Sequence, residues 1–125
     1  MTTKIIGTGS YLPEYVVTND DLAKLVDTSD EWIASRTGIR NRRIATNESG
    51  ADMAAAAAEE ALKDAGMDGS EIDLILVATC SSDFQFPSTA CLVQKAIHAT
   101  NAAAFDLSAA CSGFLFALHT AHAYI

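Results

Sequence analysis

The chain has 125 residues, half of them hydrophobic, and a formal charge of −8. That length and apolar content support a packed core and exclude a disordered chain. The acidic balance excludes nucleic acid as a partner, because affinity for a phosphate backbone rests on many Lys and Arg side chains. All four arginines, Arg36, Arg40, Arg42 and Arg43, nevertheless fall in one eight-residue window, which makes it a candidate anion site. Cys80, Cys91 and Cys111 form neither a CxxC pair nor an even-numbered framework, the usage of a reduced, cytoplasmic protein. The amino terminus lacks the layout of a signal peptide, and no apolar run approaches the roughly 20 residues needed to span a bilayer. A soluble protein with no membrane partner is expected.

In chain order, Lys4 to Thr8 reads as a short opening strand that ends in the cluster Gly7, Gly9, Ser10 and Pro13. A first short helix is expected from an N-cap at Asn19, with Asp20 and Asp21 at the positive end of its dipole, to about Val26. A second is expected after Thr28, which stands three residues before Glu31 as in a capping box, and Gly38 is placed to stop it. This helix carries Trp32 and Arg36. From Ser49 to Gly66 the signal is stronger. Ser49 and Asp52 form another capping box, and Met53, Ala54, Ala57, Ala58, Ala61, Leu62 and Ala65 recur at helical spacing. The alanines predict a close approach to whatever covers them. Ile72 to Thr79 is nearly continuous in apolar residues, as in a parallel strand buried on both faces. A loop at Ser82 to Ser88, a helix over Thr89 to Ala99, a strand over Ala102 to Leu107 and a helix from Cys111 to Ile125 complete the pattern. The order βαβαβα predicts an α/β sheet with right-handed crossovers. The chain stops inside a helical pattern with no stop signal, so truncation within or at the end of that last helix is expected.

In such sheets ligands gather at the carboxyl ends of the strands, here Cys80 to Pro87 and Ser108 to Gly113. In Phe105 to Phe114 a strand turns directly into a helix. That turn places Cys111 where unpaired backbone N–H groups favour a thiolate and hold an oxyanion, and Ala109, Ala110, Ser112 and Gly113 leave room for a thioester. Spacing alone leaves a second reading open, that Cys111 is a small packed residue. Cys91 reads as core filler, and Cys80 is ambiguous but lacks a helix-start environment. His119 and His122 would stand about 12 and 16 Å along the helix from Cys111, too far for proton transfer, and His98 also reads as solvated or packed. Trp32 and Arg36, at i and i+4, would share one face, where an aromatic and a guanidinium could sandwich a purine. Spacing alone favours a packed Trp beside an Arg in a surface ion pair.

Five motifs then stand together: Ile5 to Pro13, Thr28-Ser29-Asp30-Glu31-Trp32-Ile33, Arg36-Thr37-Gly38-Ile39-Arg40, Phe86-Pro87-Ser88 and Ala109 to Phe114. In order and spacing they resemble the β-ketoacyl-acyl-carrier-protein synthase III family of condensing enzymes. The resemblance implies a thiolase-like α/β fold, five αβαβα layers in two similar halves, with residues 1–125 as most of the first half. It implies that Cys111 takes an acyl group from acyl-CoA and that the acyl-enzyme condenses with malonyl-acyl-carrier protein. Acyl-CoA is then a substrate, and no cofactor or metal is called for. Trp32, Arg36 and the adjacent Thr28 match positions that hold the adenine end of coenzyme A. Phe86 matches an aromatic that reaches the partner subunit's acyl pocket in a homodimer, with Ser81 and Ser82 as further lining. The family's catalytic His and Asn lie in the second half, so these 125 residues alone are expected to be inactive in condensation. Two alternatives stay open, a related synthase of secondary metabolism and a non-catalytic segment that binds a partner or coenzyme A.

Overall fold

The computed structural model describes residues 3–125, which divide into two compact units, one of residues 3–11 with 49–125 and one of residues 12–48. In the smaller unit, strand β1 (Tyr15–Thr18) pairs antiparallel with β2 (Asn41–Ile44), Tyr15 opposite Ile44 and Thr18 opposite Asn41. Neither strand was evident in the sequence, because NRRI carries no alternation of apolar residues. Helix α1 (Asn19–Ala23) is capped by Thr18 rather than Asn19. The Thr18 hydroxyl accepts from the Asp21 N–H while the Asp21 carboxylate accepts from the Thr18 N–H, and the helix ends earlier than expected. Asn19 is 1% exposed, and its side chain donates to the Asp30 carboxylate and the Ile39 carbonyl. An amide so buried needs all its partners, which takes it out of the capping role. Helix α2 (Asp30–Thr37) is capped by Ser29, not Thr28, and stops at Gly38, whose φ of 74° is the left-handed conformation that glycine adopts without a Cβ clash.

In the larger unit, the segment expected as an opening strand is not one. Residues 3–11 run as extended backbone beside helix α3 (Gly50–Ala65), and their N–H groups go to that helix: Thr8 donates to Asp64 at 2.9 Å and Ser10 to Glu60 at 2.7 Å. A strand needs a neighbour to take its ladder bonds, and two α3 carboxylates take that part here. The approach is so close that a Cβ on Gly9 would run into the Ala57 carbonyl, and one on Gly7 into that of Ala61. The alanines of α3 therefore serve two sides. Ala57, Ala61 and Ala65 admit the glycine segment, while Ala54, Ala58 and Leu62 pack on the core. The Ser49–Asp52 capping box forms as read from the sequence, and Gly66 ends the helix at φ 66°.

Strands β3 (Leu74–Ala78) and β4 (Ala103–Leu107) pair in parallel, Leu74 opposite Ala103 and Ala78 opposite Leu107. Helix α4 (Thr89–Ala96) connects them. Ile75, Val93 and Ile97 form the centre of the core with Ala90, Ala99 and Ala102. Each of the three larger side chains contributes about 1.5–3 kcal/mol by leaving water. The expected three-stranded parallel sheet is thus two-stranded among the described residues. Helix α5 (Gly113–Tyr124) begins two residues later than expected. It buries Gly113 and leaves Phe114 70% and Leu115 67% exposed. No helix of the described residues is long and apolar enough to cross a membrane.

Candidate active site

Strand β4 ends at Leu107, and the chain passes through Ser108 and Ala109 into a single 3₁₀ turn, Ala110–Ser112, before α5 starts. Cys111 stands in that turn, exposed, at the carboxyl end of the parallel pair. Ala110, directly before it, has φ 45°, a left-handed conformation that costs a non-glycine residue on the order of 1 kcal/mol and that tends to be kept at functional turns. Gly113 lets α5 begin hard against β3, since a Cβ there would meet the Ala78 Cβ at 3.0 Å. A sharp strand-to-helix turn with small flanking residues thus presents a thiol to solvent, which is a nucleophile geometry.

Asp106 holds the surroundings of this turn together. Its carboxylate accepts from the Thr89 N–H at 2.9 Å, the Ala90 N–H at 2.7 Å and the Ser82 hydroxyl at 3.2 Å. It thereby ties the last strand before Cys111 to the start of α4 and to the loop after β3. Asp83 does the same for α3, accepting from the Ala51 N–H at 3.3 Å. Cys80, Ser82, Asp83, Phe84, Gln85, Ser88 and Asp106 line an open cavity of about 650 Å³ at these strand ends. Ser81, exposed, donates its N–H to Thr79, and Phe86 is 90% exposed; neither lines the cavity.

Cys80 is placed otherwise than its sequence context suggested. Its sulfur lies 3.4 Å from the Ser108 hydroxyl, and this contact, with the nearby N–H groups of Ala110 and Ala109, holds its pKa below the usual thiol value. The turn whose N–H groups were read from the sequence as serving Cys111 thus favours the thiolate of Cys80. No pattern within residues 72–80 signals this; only the parallel register of β3 with β4 brings it about. Cys91 is half-buried, with its sulfur accepting from the Ser88 hydroxyl and donating to the Ala104 carbonyl, as core filler should. His119 and His122 line a separate cavity of about 440 Å³ with Thr3, Ile5, Leu115 and Leu118, and the His122 Nδ1 contacts the Thr3 hydroxyl. His98 ends α4 with φ 57°. Among the described residues no cluster of His, Cys, Asp and Glu could hold a metal.

In the smaller unit the Arg36 guanidinium stacks on Trp32, 4.5 Å from the ring centroid, and the indole is 54% exposed. The pair is therefore a surface stack rather than a packed Trp. A purine between the two would need about 7 Å, twice a carbon contact distance, so the sandwich expected from the sequence does not form in this arrangement. A flat ligand would instead take the open indole face or displace the exposed guanidinium. The remaining arginines do not form a common anion site. Arg40 pairs with Asp30 at 2.9 Å, Arg42 donates to Asn19 and the Val17 carbonyl, and Arg43 donates to the carbonyls of Pro13 and Glu14. Thr28 is half-buried beside the α2 start.

Over 124 residues the chain is 59% identical to "Beta-ketoacyl-[acyl-carrier-protein] synthase III" of Clostridium acetobutylicum, covering 99% of this chain and 38% of that protein. It is 58% identical over 125 residues to the protein of that name in Aquifex aeolicus, covering 100% of this chain and 40% of the relative. The crystal structure of 3-oxoacyl-[acyl-carrier-protein] synthase III from Aquifex aeolicus superposes with a TM-score of 0.96 at 57% identity, over 98% of this chain and 40% of that one. In sequence and fold the chain matches a segment of β-ketoacyl-acyl-carrier-protein synthase III proteins. It spans about 40% of the length of the curated relatives that it matches, and its α/β architecture is the corresponding part of the thiolase-like fold. No family model matches the chain. The priming β-ketosynthase of the R1128 polyketide pathway is a further structural neighbour, with a TM-score of 0.91 and 43% identity over 94% of this chain and 36% of that one.

Proposed function

We propose that this chain supplies the acyl-accepting turn and the coenzyme A contacts of a β-ketoacyl-acyl-carrier-protein synthase III. The observation that carries the reading is an exposed Cys111 at a strained strand-to-helix turn, in a chain that matches synthase III relatives along its whole length. The Cys111 thiolate attacks the thioester carbonyl of acyl-CoA, a C–S bond forms, and the coenzyme A thiol departs. The acyl-enzyme is then attacked by the carbanion that malonyl-acyl-carrier protein gives on losing carbon dioxide. A C–C bond forms, the bond to Cys111 breaks, and β-ketoacyl-acyl-carrier protein leaves. The developing enolate needs positioned donors, and the family resemblance assigns these to a His and an Asn outside the 125 residues. The polypeptide by itself is therefore inactive in condensation. Trp32 offers its open face to the adenine, with Arg36 and Thr28 beside it. Phe86, exposed, and Ser81 belong to the acyl pocket of a cytoplasmic homodimer, and acyl-CoA enters as a substrate, not as a cofactor.

The test is intact-protein mass spectrometry of the full-length protein, and separately of the 125-residue chain, after mixing with acetyl-CoA and a short branched acyl-CoA. An acyl increment that maps to Cys111 on the full-length protein and vanishes in Cys111→Ser is the expected result. Undiminished acyl transfer in Cys111→Ser would refute the nucleophile assignment. The similarity to the polyketide priming synthase favours a second reading, a priming condensation in secondary metabolism with the same thiol. Turnover across a panel of primers and carrier proteins separates the two.

A further inference from the structure

Cys80 has no part in the condensation just described, yet it is the thiol that this site treats most distinctly. It follows β3 as the Ser108–Cys111 turn follows β4, and the two strands are parallel neighbours with Ala78 opposite Leu107. Its exposed sulfur lies 3.4 Å from the Ser108 hydroxyl, three residues before Cys111 in that turn. Cys111 lies in a one-turn 3₁₀ segment bordered by Ala109 and Gly113, and its thiol is exposed like that of Cys80.

We propose that Cys80 and Cys111 form a redox pair in which Cys80 is oxidised first and Cys111 resolves it as a disulfide. The oxidant is a hydroperoxide. The Cys80 thiolate attacks its O–O bond, an S–O bond forms, and the distal oxygen leaves as hydroxide or alkoxide. The Cys111 thiolate then attacks the sulfenic sulfur, an S–S bond forms, the S–O bond breaks and hydroxide leaves. Two electrons pass from the dithiol to the peroxide. The donors around Cys80 stabilise the thiolate that the first step needs. The pairing rests on the parallel register and on the contact of Cys80 with Ser108, whereas its consequence, a reversible block of acyl transfer that spares Cys111 from irreversible oxidation, rests on the role proposed above for Cys111.

The experiment treats the full-length protein with hydrogen peroxide and maps its thiols by non-reducing peptide mass spectrometry, with Cys91 as the half-buried internal control. A Cys80–Cys111 cross-linked peptide, lighter by two hydrogens and removed by dithiothreitol together with recovery of acylation, is the expected result. Cys80→Ser should instead accumulate sulfinic acid on Cys111 and fail to recover. Ser108→Ala, which removes the one side-chain donor, should slow cross-linking about threefold. Oxidation of both cysteines in separate peptides with no cross-link, or a rate unchanged in Ser108→Ala, would overturn the pair. A cross-link in a protein that never acylates Cys111 would leave the pair standing and sink the synthase reading instead.

Discussion

Asp106→Ala should loosen the loop after β3 and the start of α4 together, without removing any residue proposed to touch substrate. The carboxylate satisfies the N–H groups of Thr89 and Ala90, which are 6% and 0% exposed. Ser88, the N-cap of α4, is already engaged with the Cys91 N–H and cannot take them over. Each buried donor left unpaired costs about 1–3 kcal/mol, so Asp106→Ala should cost roughly 3 kcal/mol within the α3–α4–β3–β4 unit. The Ser82 bond, exposed to solvent, adds little. Asp106→Asn keeps one acceptor but turns its amide toward a second donor, so about half the loss is expected. Amide hydrogen exchange of the full-length protein reads this locally. Exchange at Thr89 and Ala90 should quicken more than a hundredfold in Asp106→Ala, while amides in residues 12–48 stay unchanged. Equal protection of both amides in wild type and Asp106→Ala would show that the carboxylate bears no such load.

Trp32→Ala should raise the KM for acyl-CoA about tenfold, by loss of one base-stacking face, and leave alkylation of Cys111 by a small reagent unchanged; equal loss of both would mark Trp32 as structural. Gly9→Ala should destabilise residues 3–11 by about 1–3 kcal/mol, because its Cβ overlaps the Ala57 carbonyl. Faster exchange at the Thr8 and Ser10 N–H groups would report that loss, and unaltered exchange would contradict it. Alkylation of Cys80 should depend on pH with an inflection below that of a free thiol, since its folded pKa is lowered by Ser108 and the Ala110 and Ala109 N–H groups. Reactivity is then lost as pH falls through the lowered value, at a lower pH than for a free thiol. Ser108→Ala should move the inflection upward, and a free-thiol inflection in the unaltered protein would refute the assignment.

What could be read from the sequence was local. The Ser49–Asp52 capping box, the glycine stops at 38 and 66, the two apolar parallel strands and the turn that carries Cys111 all follow from residues within a few positions of one another. The misses involve partners far along the chain. Lys4 to Thr8 has the apolar content of a strand, but whether it becomes one depends on what lies beside it, and Asp64 takes the Thr8 N–H while Glu60 takes that of Ser10 just beyond. Asn19 looked like a cap until Ile39, Asp30 and Arg42 claimed its amide. Arg40, Arg42 and Arg43 looked like an anion site because their spacing is legible in one dimension, and the carbonyls and carboxylate that occupy them are not.

The same reasoning explains why the turn at Cys111 was legible in the sequence and the surroundings of Cys80 were not. A strand-to-helix turn that exposes a thiol is written in contiguous residues, small ones on either side of the thiol. The environment of Cys80 is written across a register of 29 residues, Ala78 opposite Leu107, and exists only once β3 and β4 pair. Asp106 belongs to the same class, a charged residue inside an apolar strand whose purpose lies at residues 82, 89 and 90. A charge in a parallel strand is costly unless something repays its desolvation, so Asp106 at the end of β4 was itself a signal that donors had to converge there. The donors it gathers hold the loop that carries Cys80 and the strand that delivers Cys111, and that makes its removal the sharpest test of how this site is built.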